Sequence, residues 1–372
     1  MDATDPIDAM DLIERPRRLS GAFPTIVHVL ALLSLVVAAC QVRRVPAPES
    51  TRQMRVVEVR RLVERPALSP AVWAPDGRRV TYSAGSRLWV ASLDGTEREI
   101  APVEVATTIS WSAPLNMLAV VDRGVVWTMR DDGAERHEID LPGLALQAVW
   151  APGSDRLAVV VRRVVEGTAL FELWLVNRDG GFRRMVAQAP VGRAIRDLQW
   201  FPDSLYLLYG LSAPADQVIL EVWRVRVSYP DRRTLPLGYP ATSLRLAPSG
   251  KRIAYLSGPE VEDGRGRVVV SWLDGTGRFD VTPDEGRYSG LAWSPQGDKL
   301  AFAALRDEAN ADIWIADADG SGRLRIFPYP LEFSDPSITL SASWAPDGRH
   351  VVFGTDSGSF TGPIWVATLG RR

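Results

Sequence analysis

The side chains best suited to covalent or metal chemistry are few and lie far apart. Cys40 is the only cysteine in 372 residues, and the three histidines are His28, His137 and His350. A lone thiol excludes an intrachain disulfide and any multi-cysteine zinc or iron–sulfur site. Three scattered histidines define neither a histidine-rich metal site nor a Ser-His-Asp triad, and the sequence contains no G-x-S-x-G nucleophile elbow. Catalysis is therefore not expected, and neither a metal nor a cofactor is predicted.

Composition is that of a folded protein with no strong electrostatic preference. Hydrophobic residues make up 46% of the chain and charged residues 24%, and the formal net charge is −2. A chain of this length and composition can bury a large core. A nearly neutral surface provides no global field to attract nucleic acid. Nucleic-acid binding is therefore not predicted.

The first 39 residues have the layout of a secretory signal peptide. Arg15, Arg17 and Arg18 precede an apolar run from Ala22 to Ala39, which matches a positive region followed by a hydrophobic region. A membrane-spanning helix needs about 20 apolar residues. The run is short by that measure and contains Pro24, so it fits a signal peptide better than a membrane span. The start codon is either Met1, which gives a long acidic lead-in, or Met10.

Cys40 follows an aliphatic residue and two small ones, Val37, Ala38 and Ala39. This pattern resembles the lipobox of bacterial lipoproteins. The resemblance implies that the Cys40 thiol is alkylated with diacylglycerol and that the signal is cleaved before it, so that two or more acyl chains hold the protein at a membrane. The alternative is a buried, inert cysteine in an uncleaved signal anchor.

The lipobox resemblance divides the chain and places it in a bacterial cell envelope. Residues 1–39 are expected to be the signal peptide, 40–53 the lipidated cysteine and a Pro-containing linker, and 54–372 a folded domain. The expected location is extracytoplasmic or periplasmic. Gln41 after the cysteine favours the outer membrane if the source has one.

From Met54 onward the chain repeats one unit seven times. In each unit a strand ends at a marker residue, and a turn rich in Pro, Asp and Gly follows, as in VWAPDGRRVTY from Val72. A second aromatic strand and an Asp-Gly turn such as LDGT come next. Twelve of the thirteen tryptophans fall on these two registers, which chance does not explain. The marker residues are Trp73, Trp111, Trp150, Trp200, Leu246, Trp293 and Trp344.

Four strands per unit, with hairpin signals between them, predict an all-β, seven-bladed β-propeller of four-stranded antiparallel blades. The unit WAPDGRRVTYSAGSRLWVASLDGTEREI, from Trp73, is similar to the WD-repeat-like propeller repeat of the TolB family of bacterial envelope proteins. That family has six blades and a preceding α/β domain, whereas here seven units follow the linker directly. The resemblance implies a propeller that docks proteins.

The seventh unit ends at Arg372 with only three strands, so the ring needs a strand from elsewhere. Val63 lies as far ahead of Trp73 as a fourth strand should. We therefore expect Val56 to Glu64 to be the outer strand of the last blade, beside Ile364 to Thr368, because an open sheet edge invites aggregation.

The units differ most between their second and third strands and between successive blades. In a propeller these connections lie on one face, and variable loops on a rigid scaffold are where binding usually occurs. A binding site is expected there, against the background that most such residues are simply solvated. The candidate residues are Glu166, Phe171, Tyr239, Glu262, Arg265, Tyr288, Asp307, Tyr329, Phe333 and Phe360.

Two classes of function follow. The favoured one is a monomeric, non-catalytic, lipid-anchored propeller that binds a protein or an envelope polymer. The alternative is a propeller enzyme of the hydrolase or lactonase type, with a carboxylate or metal site at the mouth of the channel. Glu166, Glu262, Asp307 and Asp356 are the acids that could build such a site.

Overall fold

The computed structural model describes residues 50–228, 231–236, 240–258, 260–261, 264–306, 310–330, 340–355 and 362–372. Cys40 and the rest of the segment before residue 50 lie outside these ranges. Within them, a 3₁₀ helix, Thr51–Gln53, precedes the first strand, and no helix is long and apolar enough to cross a bilayer.

The described residues form seven four-stranded antiparallel sheets, and in six of them the strands follow one another in chain order. Blade 1 contains β2 (Val72–Trp73), β3 (Arg79–Ala84), β4 (Arg87–Ser92) and β5 (Glu97–Pro102). Blade 2 contains β6 (Ala106–Ser112), β7 (Met117–Asp122), β8 (Val125–Arg130) and β9 (His137–Ile139). Blade 3 contains β10 (Leu144–Trp150), β11 (Arg156–Val165), β12 (Thr168–Asn177) and β13 (Arg183–Gln188).

The remaining blades repeat this order, and the last one takes its fourth strand from the beginning of the domain. Blade 4 contains β14 (Ala194–Trp200), β15 (Tyr206–Ser212), β16 (Glu221–Arg226) and β17 (Arg232–Leu235). Blade 5 contains β18 (Ala241–Leu246), β19 (Arg252–Ser257), β20 (Arg267–Trp272) and β21 (Phe279–Asp280). Blade 6 contains β22 (Arg287–Trp293), β23 (Lys299–Leu305), β24 (Asn310–Asp317) and β25 (Arg323–Pro330). Blade 7 contains β26 (Leu340–Trp344), β27 (His350–Thr355), β28 (Gly362–Arg371) and β1 (Met54–Ala67).

The first strands of the blades contact one another in a closed cycle, from β2 through β6, β10, β14, β18, β22 and β26 back to β2. They are therefore the innermost strands of a ring. The predicted fold, a seven-bladed β-propeller closed by an N-terminal strand, is confirmed.

The marker tryptophans pack between neighbouring blades. Trp73, Trp200 and Trp293 are all at least nine-tenths buried. Each indole Nε1 donates to the backbone carbonyl just before the marker residue of the preceding blade, at 3.0 Å from Trp73 to Ser343, 3.0 Å from Trp200 to Val149 and 2.9 Å from Trp293 to Arg245. A buried indole N–H usually finds an acceptor of this kind, and in these three blades the bond joins the marker residue to the preceding blade.

The last blade is closed by β1. It pairs antiparallel with β28 from Met54↔Arg371 to Ala67↔Gly362. The expected pairing of Val56 to Glu64 is confirmed, and the strand is longer than expected at both ends. Val63 pairs with Ile364 and is fully buried.

Asp317, at the end of β24 in blade 6, holds the chain just before β1. Its carboxylate accepts from Ser50 Oγ at 2.7 Å, from the Thr51 backbone N–H at 2.9 Å and from Thr51 Oγ1 at 3.1 Å. Asp317 is 6% exposed, and buried carboxylates require such donors. The chain therefore enters the ring where the third strand of blade 6 meets its turn.

The extra residues of blade 3 form strand and not loop. β11 and β12 pair continuously from Arg156↔Asn177 to Val165↔Thr168. Glu166 and Gly167 are the two turn residues, with φ of 48° and 77°, as a tight hairpin of the I′ type requires. The insertion expected here as a variable loop is an extended hairpin, because a two-residue turn lets the ladder continue to its end.

Candidate functional site

A cavity of about 710 Å³ lies at the inner ends of blades 4, 5 and 6. Its lining comes from the beginnings of the first strands, the ends of the second strands and the loops that follow those ends. These parts share one end of each blade, which we call the loop face. The opposite end, the turn face, holds the turns between first and second and between third and fourth strands. The volume is typical of small-molecule sites.

Charged residues in the first strands are confined to the three blades that line this cavity. Arg196 and Asp197 lie in β14, Arg245 in β18 and Arg287 in β22. The first strands of blades 1, 2, 3 and 7 contain no charged residue. The innermost strands face the ring axis on one side, so charges here concentrate beside the channel over one sector.

The same three strands share an unusual backbone feature. Asp197, Ser243 and Gly290 each lie three residues before a marker residue and have φ of 47°, 55° and 64°. At each point the pairing with the second strand shifts register. Positive φ is uncommon for residues other than glycine, and bulges of this kind redirect side chains near functional sites. Gly290 leaves no room for a side chain, because a Cβ would lie 2.5 Å from the Leu340 carbonyl oxygen.

Side chains tie each inner strand of this sector to the next blade. The Asp197 carboxylate accepts from the Leu244 backbone N–H at 2.8 Å. Arg245 Nε donates to the Leu291 carbonyl at 3.1 Å, and the Leu340 backbone N–H donates to Ser289 Oγ at 3.1 Å. The cavity wall is therefore fixed from blade 4 to blade 7 before any ligand arrives.

Arg196 is held in this wall by two hydrogen bonds. Its Nε donates to Ser212 Oγ at 3.2 Å and its Nη2 to the Pro214 carbonyl at 2.8 Å. Both acceptors are neutral, and within the described residues no carboxylate pairs with Arg196. Its guanidinium group is thus held in position with donor capacity left over.

Arg245, unlike Arg196, forms an ion pair with an aspartate within the described residues. Its Nη1 lies 3.3 Å from Asp197 Oδ1 and donates to the Leu244 carbonyl at 2.8 Å. The second acid of the lining, Asp216, accepts from the Val218 backbone N–H at 2.9 Å and so shapes its loop. Among the described residues of the lining, three are arginines and two are aspartates.

Four of the candidate residues predicted from the sequence can be placed. Tyr288 lines the cavity, and its hydroxyl donates to the Asp284 carbonyl at 3.1 Å. Arg265 is exposed on the loop of blade 5, with its Nε 3.6 Å from a carboxylate oxygen of Glu260. Glu166 is exposed at the tip of the blade 3 hairpin.

Phe171 corrects an expectation. The sequence predicts Phe171 on the variable loop face, but the residue is 5% exposed and belongs to the core between blades 3 and 4. The reason is the continuous β11–β12 ladder, in which Phe171 pairs with Arg162 and takes an inward position.

The other predicted candidates lie outside the described residues or have side chains that do. Tyr239, Glu262, Asp307, Phe333 and Phe360 are outside the described ranges, as is Asp356 of the enzymatic alternative. Tyr329 belongs to β25, but its side chain is not described. Across the described ranges, no group of three or more His, Cys, Asp and Glu side chains could hold a metal ion.

The charged cavity residues of the first strands were not among the predicted site residues, although the sequence shows a pattern that could have identified them. The segments AIRDLQW, ATSLRL and RYSGLAW place charged or polar residues in strands that the repeat marks as innermost. An innermost strand lies between the two neighbouring blades and beside the channel, so a charged residue in it needs a partner in the next blade or in the channel. Comparing the charges of the seven first strands would have identified blades 4 to 6.

Comparisons with known proteins agree on the fold and divide on activity. No model of a known protein family matches the chain. Over 114 residues, 30% of the chain, it is 27% identical to the uncharacterized peptidase YuxL of Bacillus subtilis, and the match spans only 16% of that relative.

Solved structures resemble nearly the whole propeller. An oligogalacturonate lyase in complex with manganese superposes with a TM-score of 0.65 at 14% identity, covering 84% of this chain and 93% of that one. A putative TolB from Agrobacterium tumefaciens gives 0.50 at 17% identity, covering 74% of this chain and 94% of that one. At such identities the likeness shows the fold alone. The TolB-like propeller expected from the repeats is confirmed at that level.

Proposed function

We propose that this protein is a non-catalytic binding propeller whose ligand or partner docks on the loop face of blades 4 to 6. The observation that carries the proposal is the cavity of about 710 Å³ lined there by charged inner-strand residues. Its walls are fixed by hydrogen bonds between blades, and a preformed site binds without the cost of ordering its walls.

We further propose that the protein is anchored through a lipid on Cys40 in a bacterial envelope, and that its partner is a protein or an envelope component. The chain enters the ring at Ser50, whose hydroxyl donates to Asp317 at the turn face. A tether at that point leaves the loop face accessible. The fold likeness to a putative TolB supports docking of proteins by analogy only.

Two tryptophan substitutions on opposite faces test the site. Gln217 is exposed and lines the cavity, and Gln296 is exposed in the turn between β22 and β23 on the turn face. Gln217→Trp should fill part of the cavity and strongly reduce capture of partners from detergent-solubilised envelopes. Gln296→Trp, the same change on the turn face, should leave capture unchanged. Equal capture by both variants would refute the proposed site.

A further inference from the structure

The chemistry of the cavity indicates what kind of ligand it takes. Guanidinium groups suit the planar oxygen pairs of carboxylates and the oxygens of phosphates, to which they donate two hydrogen bonds at once. Arg196, Arg245 and Arg287 bring three such groups into one cavity from three adjacent blades. Because they come from separate sheets, their spacing is set by the ring itself.

Donors remain unused on two of these groups. Arg196 uses Nε and Nη2, and Arg245 uses Nε and Nη1, for contacts with the protein. Within the described residues, Nη1 of Arg196 and Nη2 of Arg245 make no hydrogen bond. Each guanidinium is thus fixed by backbone carbonyls or side-chain oxygens while an N–H edge stays available.

The described acids of the lining do not pair with Arg196. Asp197 is engaged with Arg245 and the Leu244 backbone N–H, so it offsets Arg245 and not Arg196. Thr242 and Ser243 also line the cavity, and hydroxyl-bearing residues suit a ligand with polar groups besides its anion.

We propose that the cavity binds a small, polyhydroxylated organic anion through its carboxylate or phosphate oxygens, with Arg196 as the principal contact and Arg245 beside it. This inference rests on the proposed function, because it names the ligand chemistry of the same site. The volume of about 710 Å³ exceeds what a bare inorganic ion fills and lies within the usual range for small organic ligands.

The test uses three probes on one scaffold: glucose, glucuronate and glucose 6-phosphate. Binding to the full chain in detergent is measured by isothermal titration calorimetry at low ionic strength. One or both anions should bind at least about tenfold more tightly than glucose, and added salt should weaken that binding. The two anions distinguish a carboxylate ligand from a phosphate ligand.

Two cavity variants should shift the affinity in opposite directions. Arg196→Gln should weaken anion binding about tenfold by removing a charged donor. Asp216→Asn keeps the side-chain oxygen that accepts from Val218 and should strengthen binding about twofold by removing a repulsive charge. A folding defect cannot produce the second result. Arg233→Gln, on the exposed outer strand of the same blade, should change nothing.

The inference is overturned if neither anion binds better than glucose, or if Arg196→Gln and Asp216→Asn behave like Arg233→Gln. Its failure is distinguishable from that of the proposed function. Capture of partners that is lost in Gln217→Trp and kept in Gln296→Trp, without any anion binding, would leave the binding face in place and remove only the anionic ligand.

Discussion

At the scale of single residues, blades 3 and 4 show how burial changes the value of one interaction. In both blades an acid two residues before the third-strand tryptophan accepts from the indole Nε1, at 2.9 Å from Trp174 to Glu172 and 3.0 Å from Trp223 to Glu221. Glu172 is fully buried and also accepts from Arg163 at 2.7 Å, whereas Glu221 is exposed. The same Trp–Glu hydrogen bond is therefore present once in a buried and once in an exposed setting.

Glu172→Gln should therefore lower the free energy of unfolding by about 1–3 kcal/mol, because it removes a buried charge that Arg163 needs. Glu221→Gln should cost less than about 1 kcal/mol, since an exposed carboxylate is already solvated. Urea denaturation of the two variants measures the difference. Similar losses in both would contradict the role assigned to burial.

At the scale of elements, the turns between third and fourth strands share one stabilising device. In blades 1 and 5, Thr96 Oγ1 donates to Asp94 Oδ1 at 2.7 Å and Thr276 Oγ1 to Asp274 Oδ1 at 2.6 Å. These hydroxyls, helped by the backbone N–H of the same threonines, lower the pKa of both aspartates below the ordinary value of 3.8. The stability that these two turns contribute is therefore expected to depend on pH.

A pKa that is lower in the folded state means that the native protein holds the carboxylate more strongly than the unfolded chain does. The resulting stabilisation is present above the ordinary pKa near 3.8 and is lost as the pH falls below it. A Thr96→Val, Thr276→Val double variant should be less stable than the parent at pH 7 and should lose less stability on acidification.

Urea midpoints at pH 7 and pH 3 measure this prediction. Thr234→Val, on the exposed outer strand β17, is the control for the substitution itself. Parallel pH dependence of the double variant and the parent would show that the hydroxyls do not set the acid response.

The strands of the blades could be predicted from the sequence, but the bulges in three of the first strands could not. The blades were predictable because their signals are local: an Asp-Gly turn and a tryptophan fix a strand within a few residues. The bulges at Asp197, Ser243 and Gly290 were not predictable, because they depend on contacts between blades. One such contact is the hydrogen bond from the Leu244 backbone N–H to Asp197. The cavity depends on these bulges, so the loop face was predicted while its charged wall was missed.

At the scale of the whole molecule, ring closure depends on one ladder. Val63 is fully buried in the cluster that joins blades 7 and 1, together with Ile364 and Val366. Val57, on the same strand, is 56% exposed. The closing strand therefore offers an inward and an outward position for the same substitution.

Val63→Asp should lower the free energy of unfolding by at least about 3 kcal/mol, because it buries an unpaired charge. It should also free the edge of β28 and produce oligomers, since open edges associate. Val57→Asp should change stability by less than about 0.5 kcal/mol. Denaturation and light scattering after size exclusion test both; a stable, monomeric Val63→Asp variant would contradict closure by β1.

The lipid anchor is also a property of the whole molecule. Cys40→Ser removes the thiol that a diacylglycerol would occupy, so the chain should leave the membrane fraction and lose labelling by an alkyne fatty acid. Fractionation of cells that express both forms measures this. Undiminished membrane association of the variant would favour the uncleaved apolar segment as the anchor.

The pairing of β1 with β28 has a consequence for the order in which the protein is made. Met54–Ala67 is the first strand of the ring to be synthesised, and its partner Gly362–Arg371 is the last. The earliest strand must therefore wait, without its ladder, until Gly362–Arg371 has been synthesised. Blades 1 to 6 can assemble along the growing chain, but a chain truncated before Gly362 leaves the oldest strand with nothing to join.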